Sequence, residues 1–143
     1  MKYTLPFHLL GTLDELNAHL GLVKVKLPNK TDKEFLEVIQ VNLMKLMSHV
    51  SDISNEEYFF TGNETEALKD EIDILKKQLP AINSFTLPGK NETEASIHIA
   101  RTVTRRAERY YTAVNEQTPL CQNAAEYLNK LSEYLFYLAC RHL

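Results

Sequence analysis

An all-α fold, an antiparallel bundle of five helices, is predicted for this 143-residue sequence, and three observations predict it. Apolar residues recur at three- and four-residue steps in five successive segments, which is the helical period. No segment alternates with period two for long enough to make a strand. Glycine (4) and proline (5) are scarce and tryptophan is absent, a composition that disfavours a turn-rich β fold. Apolar residues make up 44% of the chain and charged residues 24%. That suits one domain, residues 1–143, burying a core without covalent staples.

The elements follow in order. Leu13, Leu16, Leu20 and Val23 form the first stripe. Leu36, Ile39, Leu43, Leu46, Val50 and Ile53 form the second, and Leu68, Ile72, Leu75 and Leu79 a shorter third. Ile99, Val103, Ala107, Tyr110 and Val114 make the fourth; Ala124, Leu128, Leu131, Leu135 and Leu138 make the fifth. The punctuation agrees. TLDE at 12–15 and TDKE at 31–34 have capping-box form, in which a hydroxyl and a carboxylate satisfy opposing orphan N–H groups. Asn63 with Glu66, and Asn91 with Glu94, offer a similar arrangement. Pro28 and Pro80 close helices, and LPGK at 87–90 is a loop ahead of the fourth helix. Short connections then imply antiparallel neighbours, and the near-heptad spacing also suits pairing of helices between subunits.

Charge excludes several functions. A net charge of −3 and a pI near 5.9 supply no global field for nucleic acid or acidic lipid. No apolar run approaches the ~20 residues needed to span a bilayer, and the start, MKYTLPFHLLG, lacks the apolar run and cleavage site of a signal peptide. Cys121 and Cys140 have no metal-like spacing and read as free thiols of a reducing cytoplasm. No HExxH or Cys/His cluster is present, so no metal site is expected, and a lone His98 reads as structural.

The fourth helix carries the chemistry. At about 100° per residue, Arg101, Arg105 and Glu108 fall on one side, opposite the predicted apolar stripe, while Arg106 and Arg109 lie elsewhere. Two guanidinium groups one turn apart are forked, permanently charged donors suited to phosphate or carboxylate. Glu108 could hold such a fork or accept from a ligand hydroxyl. Spacing alone favours the plainer account, an ion pair on a wet face worth a few tenths of a kcal/mol.

Four ordered blocks carry a resemblance. GTLDELNAHLGL (11–22), FTLPG (85–89), HIARTVTRRAER (98–109) and YLNKLSEYLF (127–136) resemble signature blocks of the PduO-type ATP:cob(I)alamin adenosyltransferases, and IDILKKQLPAINSF (72–85) resembles the stretch leading into that family's LPGG loop. The resemblance implies a five-helix bundle assembled as a homotrimer, with active sites between subunits. It implies transfer of the 5′-deoxyadenosyl group of ATP to the cobalt of a reduced cobalamin, with Mg²⁺ accompanying the released triphosphate. It places Arg105, Glu108 and Asn129 at ATP, and pairs Arg101 with Asp14 in a salt bridge between subunits. It places Phe85 against the corrin, where it helps expel the lower axial ligand. Apart from the resemblance, Asp14 suits an N-terminal first turn, Phe85 reads as a core anchor, and Asn129 in an apolar helix needs a polar partner.

The sequence departs from the family pattern in three places. The family's TGDxG segment, whose backbone N–H groups and hydroxyls wrap a triphosphate, has no counterpart here; MKYT passes directly to LPFHLLGTLDEL, about twenty residues short of that pattern. LPGG-Ser becomes Leu87-Pro88-Gly89-Lys90-Asn91 followed by Glu92 and Glu94, carboxylates that repel a phosphate at a helix start. YLNRLSD becomes YLNKLSE (127–133), which exchanges a fork for a point charge and lengthens a carboxylate. The expectation is therefore a transferase impaired on its triphosphate side. A non-catalytic corrinoid- or nucleotide-binding homologue and a structural helical bundle stay open as alternatives.

Overall fold

The computed structural model describes residues 4–81 and 87–143 of the chain. Among them are five α-helices and no strand: α1 (Leu5–Lys26), α2 (Lys30–Ser51), α3 (Asn63–Gln78), α4 (Glu92–Gln117) and α5 (Gln122–Arg141), with a single 3₁₀ turn at Glu56–Tyr58. The predicted all-α fold is the observed one.

The helix starts show where local signals were misread. TLDE caps nothing: α1 begins seven residues earlier, with Pro6 in a first turn that needs no N–H from it. Thr12 lies inside that helix, where its hydroxyl donates to the His8 carbonyl at 2.7 Å. At α2 the cap is Asn29, whose side chain accepts from the Thr31 and Asp32 N–H groups. Gly62 precedes α3 in a left-handed conformation (φ 101°), and the Glu64 carboxylate, not Glu66, reaches back to the Thr61 and Gly62 N–H groups. Asn91 is the N-cap of α4 as expected, accepting from the Glu94 N–H at 2.8 Å. Pro28 and Pro80 each follow the residue that closes a helix.

Packing orders the helices. α1 and α2 pair across a short connection, as do α4 and α5, and α1 also lies antiparallel to α4. His8 stacks on Tyr110 near one end of that α1–α4 pair, and Lys26 bonds Glu92 at the other. α5 completes the ring against α2, antiparallel, with His49 near Cys121, Asn42 bonded to Tyr127, and Asp32 paired with Arg141. α3 runs parallel to α5, since Gly62 lies beside Asn123 and Gln78 beside Arg141.

The first and fifth stripes are wholly buried, and the second and third lose only their last members, Ile53 and Leu79, which fall past their helices and are half-buried. The fourth stripe needs correction. Ile99 is 47% exposed, Tyr110 is half-buried, and the core face is Ile97, Ala100, Val103, Thr104, Ala107, Tyr111 and Val114. α4 is clasped by α1 on one side and α5 on the other, so its buried face is wide and uses small residues that a hydrophobic stripe undercounts. Thr104 belongs there because its hydroxyl is satisfied within the helix, donating to the Ala100 carbonyl at 2.7 Å.

Three imidazoles, His49 and His98 buried and His142 half-buried, couple stability to pH. His49 accepts the Cys121 N–H on Nε2 at 2.9 Å and meets the edge of the Phe59 ring. Burial holds the pKa of His49, His98 and His142 below the ordinary histidine value, with Arg101 and Arg141 adding to the effect on the last two. Below about pH 6.5 the unfolded chain takes up protons that the native state refuses, so stability falls as pH falls. Glu71, whose pKa burial and Asp32 raise, contributes with the opposite sign above the ordinary carboxyl range. The urea midpoint is expected to be lower at pH 5.5 than at pH 7.5; equal midpoints would mean that these imidazoles titrate alike in both states.

Candidate functional site

The site is built on the seam between α4 and α5. The two helices are antiparallel, so residues stepping down α4 meet residues stepping up α5. Asn129 donates through Nδ2 to Glu108 Oε2 at 3.0 Å. One and two turns along, Arg105 and Arg101 face Ser132, Glu133, Phe136 and Tyr137 across a groove of about 330 Å³. Phe136 and Tyr137 meet edge to face, with centroids 5.3 Å apart. The groove thus has two cations on one wall and two aromatic rings on the other.

The two arginines differ in their surroundings. Arg101 is half-buried, and its Nε donates to His98 Nδ1 at 3.2 Å. Burial and the like charge of Arg105 lower its pKa, but a guanidinium stays protonated regardless. Arg105 is exposed and makes no hydrogen bond or ion pair among the described residues. The one carboxylate lining the groove, Glu133, is already paired with Lys130 and Lys76, so the two neighbouring positive charges have no anion of their own there among the described residues. Arg106 is paired with Glu15 of α1, and Arg109, although exposed, does not line the groove.

The other predicted positions are scattered. Asp14 is exposed on α1 and makes no ion pair, with Arg101 or any other cation, among the described residues. Phe85 falls at residues 82–86, outside the described residues. Asn129 finds the partner it needs in Glu108, at the surface and not in the core.

Sequence reasoning missed Phe136 and Tyr137 as one wall of the groove, and it read Glu94 as a helix-start charge facing any phosphate. Instead Glu94 is fully buried. Its Oε1 accepts from the Gly89 and Lys90 N–H groups at 2.7 and 2.9 Å. Three donors that a phosphate could seek near the start of α4, the Gly89, Lys90 and Glu94 N–H groups, are therefore occupied by the protein's own carboxylate and by the Asn91 cap. Gly89 stands at φ 107°, a conformation that favours glycine and turns both N–H groups inward. The only signal in the sequence was the pairing of a glycine turn with a glutamate five residues on.

In class, this is a helical bundle with a cationic, aromatic-walled groove along one helix seam. The sequence model of the Cobalamin adenosyltransferase family matches residues 1–142. The chain belongs to that family. It is 35% identical over 133 residues to the Corrinoid adenosyltransferase PduO of Citrobacter freundii, covering 90% of this chain and 40% of that protein. It is 33% identical over 134 residues to the Corrinoid adenosyltransferase of Bacillus subtilis, covering 90% and 69%. Its fold matches a variant of the PduO-type ATP:corrinoid adenosyltransferase from Lactobacillus reuteri, complexed with cobalamin and ATP, with a TM-score of 0.91 and 28% identity over 99% of this chain and 82% of that one. The chain thus spans about two-fifths of the first relative and about two-thirds of the second.

Proposed function

We propose that this protein is an ATP:corrinoid adenosyltransferase, with residues 1–143 as one adenosyltransferase domain, passing the 5′-deoxyadenosyl group of ATP to cob(I)alamin and releasing triphosphate. One observation carries the reading: Arg105, without a partner among the described residues, stands one turn from Arg101 on a groove walled by Phe136 and Tyr137. In the reaction Co(I) attacks C5′, the Co–C bond forms, and the C5′–O bond breaks with its electron pair leaving on triphosphate. Negative charge then gathers on the departing oxygen. A forked donor already in place stabilises that charge without reorganisation.

The supporting groups have matching tasks. Glu108 keeps one carboxylate oxygen outside its bond to Asn129, and that oxygen and the Asn129 carbonyl suit ribose hydroxyls or a base edge. The aromatic wall suits one face of a flat macrocycle, and the resemblance assigns Phe85 to the corrin as well. Mg²⁺ enters as the companion of the triphosphate, since it keeps most of its waters and prefers phosphate oxygens to all-protein cages.

A homotrimer with sites between subunits belongs to the same reading. Phe7, Gly11, Asp14, Ala18, Leu22 and Val25 recur at steps of three and four on one exposed face of α1. An apolar face of that kind, carrying one carboxylate that has no ion pair among the described residues, suits a second copy whose Arg101 meets Asp14. Nucleic acid and membrane are not among the proposed partners; among the described residues no helix is long and apolar enough to cross a bilayer. Free Cys121 and Cys140 fit a cytoplasmic setting.

The test is anaerobic. Cobalamin reduced to Co(I), mixed with the protein, ATP and Mg²⁺, is expected to develop the absorbance of adenosylcobalamin. ATP binding without that change would favour a non-catalytic binder, and no binding of either substrate would leave a structural bundle. Light scattering should give three times the chain mass, and a monomer at all concentrations would remove the intersubunit site.

A further inference from the structure

A second group of polar side chains lies behind the groove. Glu94, His98 and Arg101 follow one another along α4 at steps of four and three, so they share one strip of its surface. The strip is buried at its start: Glu94 is 0% and His98 7% exposed. Glu94 Oε1 is taken by the 89–90 turn, and Oε2 lies 3.3 Å from His98 Nε2. That distance couples the two groups, although the contact is not aligned as a hydrogen bond and Oε2 has no such partner among the described residues. On the far side of the ring, Nδ1 accepts from Arg101 Nε. An arginine cannot accept, so Nδ1 carries no proton and the imidazole is neutral with its proton on Nε2, facing the carboxylate.

We infer that Glu94 and His98 are positioning residues: the buried carboxylate selects the Nε2–H form of His98, whose free Nδ1 then holds the Arg101 fork on the wall of the groove. The inference rests on the adenosyltransferase reading for its consequence in catalysis, but not for its geometry. The same carboxylate grips the turn at Gly89 and Lys90, so the loop ahead of α4 and the groove arginine are joined through one imidazole. The charged and titratable groups around His98 are Glu94, Arg101, Arg105 beyond it, and Cys140 near Glu94 on α5. Burial and Arg101 oppose protonation of the ring, and Glu94 favours it.

Glu94→Gln separates this role from simple structural support. The amide oxygen still accepts from the 89–90 turn, but the amide nitrogen now donates toward His98. The ring must answer with an acceptor at Nε2, which moves its proton to Nδ1, against the N–H of Arg101. In ¹⁵N-histidine NMR of the full chain at pH 7.5, His98 is expected as the Nε2–H form in the native protein and as the Nδ1–H form in Glu94→Gln. Calorimetry with Mg-ATP should show about tenfold weaker binding for Glu94→Gln and for His98→Ala, the loss of one charge-assisted hydrogen bond. His98→Gln, which restores an acceptor beside Arg101, should recover most of that loss. An Nδ1–H form in the native protein, an unchanged form in Glu94→Gln, or native affinity in His98→Ala would each overturn the proposal. If the native protein binds no Mg-ATP, the transferase reading fails, and the NMR comparison still decides the relay.

Discussion

Replacing Arg105 by alanine is expected to slow adenosyl transfer by about 10²–10³-fold at saturating substrates, the usual cost of one preorganised donor to developing negative charge. The measurement is the anaerobic appearance of adenosylcobalamin. Because Arg105 is exposed and bonds to nothing among the described residues, the melting temperature should stay where it was. Arg105→Lys keeps the charge but loses the planar fork, so its rate should fall between the two. A native rate in Arg105→Ala would remove this residue from the chemistry. A shifted melting curve with unchanged ligand binding would instead make the arginine face a structural ion-pair network.

Leu131→Ala should produce the largest loss of stability, about 2–5 kcal/mol, read as a lower urea midpoint. Leu131 is completely buried on α5, the helix that touches α2, α3 and α4 together. A cavity there has several rigid walls and little means of collapsing. The loss is a large fraction of a typical folding free energy of about 5–15 kcal/mol. Leu87, 82% exposed in the loop before α4, is the contrast, and its replacement by alanine should change the midpoint by no more than about 0.5 kcal/mol. Asn129 and Ser132 flank Leu131, so relaxation of α5 should weaken ligand binding as well. A cost below about 1 kcal/mol would mean that the bundle repacks freely around the site.

Several elements were legible from residue order alone. The five stripes are helices because a 3.6-residue period is a local property, written within each segment. Asn91 could be read as a cap because its partner, the Glu94 N–H, lies three residues away. TLDE misled for a related reason. Its pattern is also local, but burial of Leu9 against the core draws the helix back to Leu5 and leaves Thr12 in its interior. Ile99 was assigned to the core by spacing, yet the position of α5 turned a different face of α4 inward.

What the sequence by itself determined is the helical period, the family blocks, and the placing of Arg101, Arg105 and Glu108 on one side of one helix. All of these follow from steps of three and four residues. Only the tertiary structure decided that Asn129 meets Glu108, that Phe136 and Tyr137 wall the groove, and that Glu94 turns inward to the 89–90 turn and not outward to a ligand. Burial and pairing arise between segments that are distant in the chain. The cost of an unpaired charge is set by which neighbours folding brings to it.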